Sequence, residues 1–223
     1  PGIRALLPDR RIAGTAVTFR ASASAGGLQL EFLSQPSAVA AGAAMSPAVQ
    51  VRVRDITGTT ATSATTIVTL VLLGGSGGAQ IVGTAAVAAA AGVAAFANVK
   101  VDRVGTGYRL EARATGLVPD TSAAFDVRPG SASRLVLVSE PSAATAGTPF
   151  AVRVELQDAY GNLVTAATDS VFVAIVPASG TAQAHLLGTT RLAAAAGIGL
   201  FQGLAIDSAG PQYLLAVSGA AGL

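Results

Sequence analysis

The chain has 223 residues, 51% of them apolar but only 4% aromatic, with no cysteine, no tryptophan and one histidine. Its formal net charge is +2, and Lys100 is its single lysine, so no basic cluster is present to hold a nucleic acid backbone. Without cysteine, neither disulfides nor thiolate metal sites can form, and the apolar half of the chain must supply real cores.

One stretch occurs twice. Leu30-Glu31-Phe32-Leu33-Ser34-Gln35-Pro36-Ser37, followed by Ala41-Gly42, returns as Leu135-Val136-Leu137-Val138-Ser139-Glu140-Pro141-Ser142, followed by Ala146-Gly147. Both Pro36/Pro141 and Gly42/Gly147 are 105 positions apart, the length of a small domain, so the repeat is a repeated domain. The expected organisation is an N-terminal extension (1–25), a first domain (26–130) and a second (131–223). There is no initiator Met and no signal peptide, and the chain is expected to be a mature subunit or a segment of a longer protein.

In chain order, Val49, Val51 and Val53 alternate with Gln50, Arg52 and Arg54. This period of two predicts a strand with one face buried. Val152, Val154 and Leu156 against Arg153, Glu155 and Gln157 repeat it. Each strand runs into a turn, Asp55-Ile56-Thr57-Gly58 or Asp158-Ala159-Tyr160-Gly161, with Asp at the start and Gly at the end as a type I turn favours. The Thr/Ser-rich run Thr57–Thr66 reads as a solvated loop. A β-branched run, Thr65–Leu73, matches Ser170–Val176. Residues 56–99 carry no charge, but Gly74-Gly75 and Gly92 interrupt the apolar runs, so no membrane span is expected. The alanine runs Ala88–Gly92 and Ala193–Gly197 are short and end in Gly; they read as loops crossing into the next strand rather than helices.

Asp102, Gly105, Tyr108 and Leu110 recur as Asp207, Gly210, Tyr213 and Leu215. A tyrosine after a D-x-x-G turn, two residues before a buried position, is the pattern of the tyrosine corner of immunoglobulin-like sandwiches. Tyr108 and Tyr213 are expected to fill the sandwich end and bond the corner backbone through their hydroxyls. Short strands and regular turns without a convincing helix make the fold class all-β: two tandem Ig-like β-sandwich domains in series, preceded by an N-terminal strand segment. The link Arg128-Pro129-Gly130-Ser131-Ala132-Ser133 is too short for free tumbling, which predicts a semi-rigid rod.

The motifs L-x-F/L-x-S-x-P-S, D-x-x-G, G-T…G-x-x-x-F and D-x-x-G-x-x-Y-x-L resemble the bacterial Ig-like repeats of large surface proteins, the invasin and intimin-like group in the broad sense. The resemblance covers nearly the whole chain. It implies an extracellular or cell-surface location and a domain type that serves as spacer, adhesin or filament subunit alike.

Sites for chemistry are scarce. His185 is the only histidine, which leaves almost no material for His-based metal sites or catalytic triads. Asp55, Asp102, Asp158 and Asp207 each sit beside a Gly turn and read as turn caps; Asp158 with Asn162 is the best pair for calcium, and capping outweighs it. Tyr160 alone is left as an exposed aromatic for a sugar, and neither Asn98 nor Asn162 lies in an N-glycosylation site. No enzyme activity, metal or organic cofactor is expected.

The first domain passes from Gly116-Leu117 through Val118-Pro119-Asp120 into a last strand, Ala123–Arg128, whereas the second reaches Gly222-Leu223 without one. The N-terminal segment holds Leu7-Pro8-Asp9 and then Ala16-Val17-Thr18-Phe19-Arg20-Ala21. It matches the missing piece in order and alternation, with Val17, Phe19 and Ala21 inward like Ala123, Phe125 and Val127. Residues 17, 19 and 21 are thus a candidate donor strand for the second domain of a neighbour, giving a head-to-tail homopolymer. The competing reading is a longer repeat protein in which each such strand is supplied covalently. An alternative function is a spacer, or a ligand- or carbohydrate-binding module of a secreted adhesin or enzyme, with surface glycans or other cells as partners.

Overall fold

The computed structural model describes residues 27–75 and 77–219, and among these all regular structure is β. The first sandwich comprises β1 (Gln29–Ser34), β2 (Val39–Ala40), β3 (Val49–Arg54), β4 (Ile67–Leu73), β5 (Ile81–Gly83), β6 (Ala86–Ala88), β7 (Val93–Phe96), β8 (Val99–Val101), β9 (Gly105–Arg113), β10 (Asp120–Thr121) and β11 (Phe125–Arg128). The second comprises β12 (Arg134–Ser139), β13 (Phe150–Gln157), β14 (Ser170–Ile175), β15 (Leu186–Leu187), β16 (Arg191–Ala193), β17 (Ile198–Ile206) and β18 (Leu215–Gly219). The chain is therefore all-β, with tandem Ig-like sandwiches. The segment holding Val17, Phe19 and Ala21 lies outside the described residues.

In the first sandwich, β1-β3-β7 faces β2-β11-β9-β4-β6; in the second, β12-β13-β17-β15 faces β16-β14-β18. The alternation expected along β3 and β13 decides which face is dry. Val49, Val51 and Val53 are fully buried, as are Val152, Val154 and Leu156. Each set anchors its own core, the first closed by Phe96, Tyr108 and Leu110 and the second by Phe201 and Leu204. The alanine runs are not helical. Ala86–Ala88 is a short strand on the edge of β4, and the residues up to Gly92 turn the chain into β7.

β11 joins the two edges at one end of the first sandwich. It runs antiparallel to β9, with Phe125 opposite Tyr108, and parallel to β2, with Val127 opposite Val39. The residues leading into it seal β1: Leu30 donates its N–H to the Val118 carbonyl at 2.9 Å, and Phe32 donates to the Asp120 carboxylate at 2.9 Å. Ala41 donates to the Arg128 carbonyl at 2.8 Å, closing the other side. Because that ladder exists, β9 begins at Gly105, whereas its counterpart β18 begins only at Leu215, five residues later in register. Unpaired backbone does not hold an extended strand by itself.

Candidate functional site

Two features of this fold bear on function: a groove in the second sandwich and the junction between the sandwiches. The groove measures about 680 Å³. It is bounded by residues 140–146 on one side and 208–210 and 212–215 on the other, with Phe150 and Ile206 also lining it. Moving the partners of β11 forward by one repeat identifies the place. Tyr108 and Gly105, paired with Phe125 and Val127, become Tyr213 and Gly210; Val39 and Ala40, paired with Val127 and Arg128, become Ala144 and Thr145. All four counterparts line the groove. It occupies the position that β11 fills in the first sandwich, and no described residue fills it.

The exposure of the walls follows. Tyr108 and Leu110 are fully buried, but Tyr213 and Leu215 are only half-buried and Leu214 is 59% exposed. Leu30 and Phe32 are buried, whereas their counterparts Leu135 and Leu137 are half-buried. The sequence pointed to a last strand absent from residues 131–223 but did not single out residues 140–146 as a wall; the repeat would have located them through Val39 and Ala40.

Both tyrosine hydroxyls reach backbone five residues upstream. Tyr108 donates to the Arg103 carbonyl at 3.2 Å and Tyr213 to the Ser208 carbonyl at 2.8 Å. The Tyr108 ring also lies 5.9 Å from that of Phe125.

At the junction, the expectation for Tyr160 needs correction. Tyr160 is not an exposed platform: its ring is half-buried against the first core, over Gly42, where any Cβ would collide with it. Asp158 and Asn162, 2% and 7% exposed, are turned inward. The Asp158 carboxylate accepts N–H bonds from Tyr160, Asn162 and Gly130, each at 2.9 Å, and the Asn162 Nδ2 bonds both its oxygens. Its lone pairs are engaged by donors, so the pair is a clip rather than a cation site. Asn162 also reaches across to the first sandwich, donating Nδ2 to the Asp102 carbonyl at 2.8 Å and accepting from the Val104 N–H at 3.1 Å. Burial pushes the Asp158 carboxyl up, but bonds from the Asn162 side chain and from the Asn162, Gly130 and Tyr160 backbone outweigh it and leave the pKa below its usual value.

The four repeated aspartates divide into two pairs. Asp55 caps its own turn through the Thr57 and Thr59 N–H groups, as Asp158 does. Asp102 and Asp207 instead cap a neighbouring loop, accepting from the Gln80 N–H at 2.8 Å and the His185 N–H at 2.9 Å. His185 Nδ1 also lies 3.1 Å from Asp207, so the single histidine belongs to this loop closure. Among the described residues no three His, Cys, Asp or Glu side chains gather as a metal site, and no helix is long and apolar enough to cross a membrane.

No family model and no curated protein matches the chain. Among solved structures it is similar to FdeC, an adhesin of Escherichia coli, at 20% identity and a TM-score of 0.39, over 86% of this chain and 64% of that one. It is similar to the Yersinia pseudotuberculosis adhesin InvE at 14% identity and a TM-score of 0.36, over 89% of this chain and 58% of that one. A β-glycosidase of Bacteroides vulgatus matches at 13% identity and a TM-score of 0.36, over 86% of this chain and 23% of that one. The chain thus spans less than two thirds of each of these proteins, and superposition this loose carries no functional argument.

Proposed function

We propose that the chain is a structural, non-enzymatic module of an extracellular surface fibre, and that its second sandwich takes up a β-strand from the N-terminal segment of a second copy. The observation that carries this reading is the groove of about 680 Å³ lined by the repeat counterparts of every strand partner of β11. Half-buried Tyr213, Leu215, Leu135 and Leu137 and two strand edges favour an occupant that brings both apolar side chains and backbone donors. Phe19 and Ala21 repeat the positions of Phe125 and Val127, which are buried, whereas Ala123, the counterpart of Val17, is exposed and not inward as its alternation suggested; burying Phe19 would contribute about 1.5–3 kcal/mol. A groove filled by the neighbour of each copy propagates head to tail. Such a fibre would need no metal or cofactor, and glycans or other cells would be partners of the assembled object.

The test is Phe19→Asp in the full chain, followed by sedimentation and electron microscopy. The expected result is loss of end-to-end assembly with the circular dichroism of the monomer unchanged. Fibres that persist in this variant, or a second sandwich indifferent to an added peptide of residues 14–24, would sink the donor strand and favour a covalently supplied one.

A further inference from the structure

The junction between the sandwiches has two halves, and each half occurs a second time with no such partner among the described residues. The inserting half is the Asp158–Asn162 turn. Its counterpart, Asp55–Thr59, is built by the same bonds: Asp55 accepts from the Thr57 N–H at 2.9 Å and the Thr59 N–H at 3.0 Å, and Gly58 donates to the Asp55 carbonyl at 3.1 Å, as Gly161 does to Asp158. The receiving half is Gly42 with the Asp102–Val104 turn. Its counterpart is Gly147 with Asp207–Ala209. Gly147 shares the φ of +76° of Gly42 and donates to the Ile206 carbonyl at 2.8 Å, as Gly42 does to Val101 at 2.9 Å. The loop closures by Gln80 on Asp102 and His185 on Asp207 also correspond. Both halves are therefore shaped before any partner arrives, which removes much of the ordering cost of association.

Their surfaces differ from those of the filled junction. Space over Gly42 is taken by Tyr160, whereas no described residue lies within 4 Å of a Cβ built on Gly147. At the tip of the Asp55 turn, Ile56 is 71% exposed. The seat at Gly147 also adjoins the groove, since Thr145 and Ala146 line it.

We propose that copies of this chain meet through these two halves: the Asp55–Thr59 turn of one copy seats over Gly147 and against the Asp207–Ala209 turn of the next. This rests on the head-to-tail order proposed above and adds a second contact, one that sets the angle between successive copies. The occupant is a second copy because the internal junction already joins this kind of turn to this kind of seat, and because a strand delivered to the groove brings the front of its own first sandwich to that end. The chemistry also explains why the contact between copies would be weaker than the internal one. Thr57 and Thr59 stand where Tyr160 and Asn162 supply a ring and an amide.

The test is self-association of the full chain by sedimentation, with circular dichroism confirming the fold of every variant. The Thr57→Tyr/Thr59→Asn double variant, which copies the internal turn, should associate about tenfold more tightly. Ile56→Asp and Gly147→Asn should each weaken association about tenfold; asparagine accepts a positive φ, so the second fills the seat while the backbone is kept. If Phe19→Asp abolishes association while all three end variants leave it unchanged, the seat is overturned and the donor strand stands. If the end variants shift association while Phe19→Asp does not, the seat stands and the donor strand falls. A tightening by Thr57→Tyr/Thr59→Asn that Gly147→Asn fails to reverse also overturns the seat.

Discussion

The two sandwiches are nearly the same object on one side and different objects on the other. The central strands β3 and β13 present fully buried triplets, and the turns that follow them are capped by Asp55 and Asp158 in the same way. Across the opposite edge, the first sandwich carries β11 and buries Tyr108 and Leu110 completely, while the second leaves Tyr213 and Leu215 half-buried around a groove. Among the described residues, one strand thus separates a closed core from an open one. Its contribution is not confined to its own side chains: the residues leading into it also stitch Leu30 and Phe32 on the facing sheet.

The largest expected effect erases this difference. Appending a copy of residues 118–128 after Leu223 should let the second sandwich close on itself. Burial of the copied phenylalanine and valine would add about 1.5–3 kcal/mol each to its unfolding free energy, and the groove would no longer accept a strand in trans. Chemical denaturation of the second transition reads this; an unchanged midpoint would show that the groove is not a strand site.

The converse experiment opens the first sandwich. Phe125 is 4% exposed and packed beside Tyr108, so Phe125→Ala should cost about 3–5 kcal/mol. It should also raise hydrogen exchange along Gly105–Tyr108, the part of β9 that β11 pairs and β4 does not. Loss of stability without that exchange would mean that β11 does not hold this end of the strand.

At the junction, Asn162→Ala removes the side-chain bonds to Asp102 and Asp158 and should cost about 1–3 kcal/mol of coupling between the sandwiches. The pH dependence has a definite sign. The Asp158 pKa in the folded chain lies below its usual 3.8, so its contribution is present above that value and lost as pH falls through the lower, folded value. Coupling should be flat from neutral pH down to about 5 and weaken only in stronger acid. Asp158→Asn should flatten that acid limb in calorimetric scans.

The smallest effect compares the two tyrosines. Tyr108→Phe should cost about 1 kcal/mol, the net worth of its hydroxyl bond. Tyr213→Phe should cost less while the groove is open, because water can replace the lost partner. Equal losses in both would mean that the exposure of Tyr213 does not matter to its bond.

How far these features could be read in advance depends on their range along the chain. Alternation along Val49–Arg54 and Phe150–Gln157, the Asp-to-Gly turns and the identical settings of Tyr108 and Tyr213 are local patterns. Each is set within a few residues by side-chain periodicity and turn stereochemistry, so an all-β repeat of Ig-like sandwiches was legible from residue order alone. Residues 105–109 and 210–214 show the limit. Only the first become strand, because β11 supplies backbone partners from a distant part of the chain. Asp102 and Asp207 resemble local turn caps in sequence but close loops 22 residues away. Asp158 and Asn162 carry the composition of a cation loop, yet the folded chain turns them against the first sandwich, where N–H groups occupy the carboxylate. A side chain's type limits what it can bond. Which donor reaches it is decided by how the sheets bring remote backbone together.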